Sequence, residues 1–215
     1  MLPQAAVSAC AGFIAAALVK RVPTSFLVSI GVLITAGGFA LLLTITPDTQ
    51  PWVIAVTLCL VGLGAGVGMT LTNDLIMSSV RPEQSGQAAA ISETAYELGT
   101  AFGTAILGSV LLGFYRTGLA DAVPAGLPGG ILESAKETLA AALLNAKQLP
   151  GELGTALFTA ATESFTSALA WTGGIAALIL LAVAIFAGVM LRGVSAQADL
   201  AEAAHEKRGE LERTG

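Results

Sequence analysis

A chain of 215 residues with 54% apolar and only 12% charged side chains and a mean hydropathy of +0.79 is not a soluble globular domain, which carries about 25% charge. Ten bases against fifteen acids leave a net charge of −5, so there is no basic footprint for nucleic acid. Five of the acids and three of the bases fall between Asp199 and Gly215, which makes that end a solvated tail rather than a partner surface.

The apolar residues are gathered into runs. A hydrocarbon core of about 30 Å needs roughly 20 apolar residues at 1.5 Å rise each. Leu2 to Val19 is at the short limit and begins at Met1 without the basic flank of a signal peptide. It reads as the remainder of a membrane helix, and helices upstream of it, or on a complementary chain, are expected. Four further runs pass the length test: Phe26 to Ile45, Val53 to Thr72, Ala88 to Phe114 and Ala168 to Leu191, all free of Lys and Arg. The fold class is therefore all-α, a polytopic helical membrane protein. Its organisation is membrane helices over 1–114, an extracytoplasmic segment over 115–167, a last span over 168–192 and a charged tail over 193–215.

Basic residues near span ends are retained on the cytoplasmic side. Lys20, Arg21, Arg81 and Arg192 put the first and third connections and the C-terminus inside. The connection from Thr46 to Pro51, with Asp48 and no base, and the segment from Tyr115 to Ser167 are then outside. The predicted location is the plasma membrane, multi-pass.

The outer segment is patterned. Pro124, Pro128, Gly129 and Gly130 break the chain. Ile131, Leu132, Ala135, Leu139, Ala142, Leu143 and Ala146 then follow at helical spacing, opposite Glu133, Lys136, Glu137 and Lys147. After Pro150 and Gly151, the residues Leu153, Leu157, Ala160, Ala161 and Phe165 repeat that period. This predicts an outer helical hairpin with one apolar face. Capping the membrane domain, resting on lipid and docking a partner are all compatible with it.

Most acids lie outside the spans. Glu93 and Glu97 do not: they sit four residues apart in the Ala88 to Phe114 run, on one helix face and about 6 Å apart along the axis. An ionised side chain at mid-membrane costs about 2.5–3.5 kcal/mol, so each is expected to hold a proton or face a cation whenever water is shut out. The pair reads as a proton switch, with interfacial snorkelling as the plain alternative. Tyr96 offers a ring to an organic cation, or simply packs. Gly99 and Gly103 form a neighbouring stripe where a helix can approach closely, and Thr100 and Thr104 continue the acid face.

Gly62, Gly64, Gly66 and Gly68 in the preceding run are expected to serve helix packing, since a nucleotide fingerprint needs a preceding strand and an exposed helix start. Asn73 and Asp74 read as interface residues. Cys10 and Cys59 lie in apolar runs as small hydrophobes, and His205 is isolated in the tail. No nucleophile, metal set or cofactor motif accompanies the acids, so the chain is not expected to be an enzyme and no metal or cofactor is expected.

The stretch from Arg81 to Gly103, RPEQSGQAAAISETAYELGTAFG, resembles the loop and penultimate helix of the fourteen-helix drug:proton antiporters of the major facilitator superfamily, the QacA/EmrB-like multidrug exporters. The matching positions are Ala89, Ala90 and Ile91, then Glu93, Tyr96, Glu97, Leu98 and Gly99. The helix and basic loop from Leu2 to Val22 and the long outer segment are similar as well. The resemblance implies the last five helices of such a carrier. It places Glu97 as the acid of cation recognition or proton coupling and Glu93 as its companion, with protons, cationic or amphipathic small molecules and the lipid bilayer as partners. The six-helix first half, with its own acids and gating motifs, has no counterpart here, so the chain by itself is not expected to transport. The rival expectation is a non-transporting membrane anchor or regulator that binds a partner through the outer hairpin.

Overall fold

The computed structural model describes the backbone of residues 10–12, 24–123 and 126–214, and side chains in the first and last helices from 26 and up to 189. Among the described residues from Thr24 on, six α-helices follow one another: α1 Thr24–Leu41, α2 Pro51–Ser78, α3 Ser85–Ala122, α4 Gly129–Glu137, α5 Leu139–Gln148 and α6 Gly151–Thr214. Short 3-10 turns cover Leu42–Thr44 and Pro82–Gln84. Among the described residues there is no strand, and four segments are long and apolar enough to cross a bilayer: Phe26–Thr44, Pro51–Ser78, Pro82–Ala122 and Gly151–Val189. Of the expected shorter run before them only Cys10, Ala11 and Gly12 fall among the described residues. There Ala11 is buried and Gly12 abuts Thr70.

In a bilayer, apolar side chains gain nothing by leaving lipid for protein, so close approach of small residues sets where spans meet. Gly64 on α2 lies against Gly31 and Thr35 on α1, with no room for a side chain. At the far end of α1, Leu42 and Leu43 seat on Gly173 and Gly174 of α6, where a Cβ would likewise collide with them. The Thr46–Gln50 connection and the middle of α6 therefore share one end of the molecule, and the Arg81 turn lies at the other.

The end built from residues 115–167 departs from the expected layout. At 38 residues, α3 is about 57 Å long, and the part of α6 up to Val189 is similar, against about 30 Å of hydrocarbon. Both helices stand well clear of the core as stems. The anticipated second hairpin arm, the last span and the tail are thus one continuous helix. The anticipated first arm, 131–149, is two helices. Thr138 is extended (φ −153°, ψ 151°), and its hydroxyl accepts from the Ala141 N–H at 3.1 Å, capping α5 as threonine does at helix starts. Gly151 then takes φ +60°, a left-handed turn that glycine adopts at no steric cost, and reverses the chain from α5 into α6.

The apolar face of the hairpin is buried within this cap. Ala135, Ala142, Ala146, Leu157, Ala160 and Ala161 form one core with Tyr115 and Leu119 of α3. Of the three arrangements open from the pattern, the structure adopts the one in which the hairpin closes onto the membrane helices themselves. Tyr115 and Phe165 meet edge to face at 6.1 Å, a favoured aromatic geometry.

Candidate functional site

Glu93 and Glu97 lie in the first half of α3, one turn apart, and both are exposed. Among the described residues neither carboxylate has an ion pair or a hydrogen bond; the ion pair found there is Lys136 to Glu133, at 3.1 Å in the cap. The first half of α3 is largely bare: between Ser85 and Gly103 only Ser92 is buried. In the apolar window of the whole span Pro82–Ala122, 6% of the residues are buried, against 22–28% in the other three spans. Ser92, on the adjoining stripe, is buried. Tyr96 is half-buried, and its hydroxyl is covered yet has no hydrogen-bond partner among the described residues.

The face that bears the acids continues along α3 through Thr100 and Thr104, at positions three and seven beyond Glu97. There it meets a cavity of about 440 Å³ between α1, α3 and α6. Phe39 of α1, Leu42 of the 3-10 turn after it, Leu107 and Leu111 of α3, and Leu169 of α6 supply apolar walls. Thr100, Thr104 and Thr172 supply hydroxyls. A mostly apolar wall with a few polar groups is the composition of small-molecule sites.

The glycines divide into two kinds. Gly62, Gly64 and Gly66 are buried in α2, and Gly64 makes the contact with α1 described above. Gly68 has open space where a Cβ would stand, although its backbone N lies near Gly31. Gly99 and Gly103 differ from the close-packing role expected of them: a Cβ at either would meet nothing within 4 Å, and both line the cavity. A gap lined by residues of α1, α3 and α6 stands where a small-residue stripe alone suggests contact.

Pattern reading of α6 missed Thr172. Its position one turn past Ala168 in an apolar run carries no sign of a cavity, because only the placement of α1 and α3 creates one. The α3 share of the cap was missed too, although Leu111, Tyr115 and Leu119 continue the helical period with no Pro before Pro124.

Residues 1–104 match the Major Facilitator Superfamily. Over 191 residues, 89% of this chain, the sequence is 38% identical to the multidrug efflux pump LfrA of Mycolicibacterium smegmatis, of which it covers 38%. It is 30% identical over 188 residues to the methyl viologen resistance protein SmvA of Salmonella typhimurium, covering 86% of this chain and 38% of that one. A tetracenomycin C resistance and export protein of Streptomyces glaucescens is 32% identical over 171 residues, 73% of this chain and 31% of that protein. The chain thus spans about two fifths of the length of the first two relatives. With its helical spans and these matches, the chain is similar to the Major Facilitator Superfamily over its first 104 residues and to drug efflux and resistance proteins over most of its length.

Proposed function

We propose that this chain contributes the acid-bearing helix and its neighbours to a proton-coupled exporter of amphipathic organic cations, of the fourteen-helix antiporter type. Glu97 and Glu93 exchange protons for the cation, and Tyr96 presents its ring to it. One observation carries the reading: two carboxylates one turn apart in a membrane span lack any described ion-pair partner and stand exposed on a stretch of α3 in which, from Ser85 to Gly103, only Ser92 is buried. Against acyl chains each charge would cost about 2.5–3.5 kcal/mol. That face is therefore a wall of a hydrated, protein-lined space, and in carriers of this kind such a space lies between two helix bundles that rock about it. Relatives described as multidrug efflux and drug-resistance proteins support the same reading.

The cycle follows from charge. Open to the outside, the pair takes up protons, loses its attraction for the cation and releases it. Open to the inside, it gives up protons and attracts the next cation. The orientation that serves this cycle is the one implied by Arg81 and Arg192, with the cap outside and the C-terminus inside the plasma membrane. A partner-docking role for the hairpin is disfavoured, because its apolar face forms the core of the cap.

A chimera in which this chain replaces the matching segment of the multidrug efflux pump LfrA tests the acids. Glu97→Gln and Glu93→Gln each remove the charge at nearly constant volume. Glu97→Gln is expected to lower drug resistance at least tenfold and to abolish drug-induced proton movement in vesicles, and Glu93→Gln to reduce both. Full resistance in the double variant would refute the reading. The 215-residue chain reconstituted by itself is expected to give no proton-coupled flux, since nothing described here faces the acids across a cavity.

A further inference from the structure

Several threonine hydroxyls of this chain follow a habit that the buried Thr172 does not. Thr57, Thr70, Thr117 and Thr166, among others, donate to the carbonyl four residues back at 2.8–3.1 Å, the usual way a helical threonine satisfies itself in an apolar setting. Thr172 is 8% exposed, yet its Oγ1 is covered and has no partner among the described residues. It lines the cavity between α1, α3 and α6. A buried hydroxyl without a partner is unfavourable, and an acyl chain filling the cavity would leave it so, because a hydrocarbon tail has no acceptor. A molecule with an apolar body and a hydrogen-bonding group would satisfy it once rotation about χ1 turns the covered hydroxyl into the cavity that the residue lines. The charge on the molecule is set by the neighbouring stripe: Thr100 lines the cavity, and Glu97 lies three residues further along that face, about 4.5 Å along the axis.

We propose that this cavity is a subsite seating the apolar body of an organic cation, with the Thr172 hydroxyl hydrogen-bonded to a polar atom of that body and the cationic end directed along α3 toward Glu97. It rests on the reading of Glu97 given above, and it adds a place that the acid pair alone does not define. The volume of about 440 Å³ lies within the range of small-molecule pockets. The open space at Gly99 and Gly103 provides part of it.

The test is photolabelling of the full chain in lipid nanodiscs with 4-(trimethylammoniomethyl)benzophenone, whose ketone accepts a hydrogen bond and whose ammonium is a fixed cation. Cross-links on Leu107, Leu111 and Leu169 are expected to exceed those on the exposed Leu178, Ile179 and Phe186 of α6 at least tenfold. Gly103→Leu projects into open space and is expected to cut cavity labelling about tenfold. Thr172→Val is expected to cut it about fivefold, the loss of one hydrogen bond, without lowering the melting temperature, since no internal bond is removed. Equal labelling of the cavity and the lipid-facing leucines overturns the proposal, as does cavity labelling that neither variant changes. If Glu97→Gln lowers labelling while both cavity variants leave it intact, the subsite falls and the acid stands. If labelling survives Glu97→Gln but not the cavity variants, the subsite stands and the role of the acid falls.

Discussion

The Tyr115 hydroxyl donates to the Ala135 carbonyl at 2.9 Å across the buried centre of the cap. Next to it, Arg116 Nε donates to the Lys136 carbonyl at 3.3 Å. Both carbonyls belong to the last turn of α4, where no intrahelical donor remains for them. Two consecutive residues of α3 thereby tie a short helix to a stem that runs on into the membrane. The cap cannot leave α3 without exposing these carbonyls and the aromatic contact of Tyr115 with Phe165.

Tyr115 accordingly offers a graded test of the cap. Tyr115→Phe keeps the ring and removes the bond, and is expected to cost about 1 kcal/mol. Tyr115→Ala empties a site that is 2% exposed and is expected to cost about 3–5 kcal/mol. Denaturant unfolding of the purified protein in detergent, followed by the near-ultraviolet signal of the cap, separates the two. Equal losses for both variants would mean that the ring contributes nothing beyond its hydroxyl.

A second contrast lies in α2. Gly64→Ala drives a methyl into Thr35 and the Gly31 carbonyl and is expected to destabilise the α1–α2 pair by about 1–3 kcal/mol, as overpacking does. Gly68→Ala meets nothing within 4 Å and is expected to be neutral or to stabilise by up to about 1 kcal/mol through helix propensity. Unfolding of both in mixed micelles measures the difference. The reverse order would contradict the packing of α1 on α2.

Sidedness can be read with a membrane-impermeant maleimide after replacing Cys10 and Cys59. Asp48→Cys is expected to react in intact cells, and Glu83→Cys only once the membrane is permeabilised. The opposite pattern would invert the chain and, with it, the direction of the proposed proton cycle.

Much of this architecture was legible because burial period and helix period are the same thing read twice. Every apolar position marked in the hairpin, from Ile131 to Phe165, is buried or half-buried, while Glu133, Glu137 and Lys147 opposite are exposed. The acid stripe was legible for a similar reason: in an apolar span a carboxylate stands out, and its spacing fixes the face. The break at Thr138 was less so, because a lone threonine before Leu139 is a weak cap signal without a glutamate three residues on.

Composition and periodicity by themselves determined that the chain crosses a membrane, where its spans lie, which faces of the hairpin are apolar and which helix carries the acids, since all of these depend on the order of residues along one helix. Only the tertiary structure decided what those faces meet. Gly64 and Gly103 are locally alike, yet one is pressed against α1 and the other opens on a cavity, and the Thr172 hydroxyl has no partner among the described residues. Helix periodicity specifies the direction in which a residue points, whereas the distance to the next helix is set by how three helices pack together.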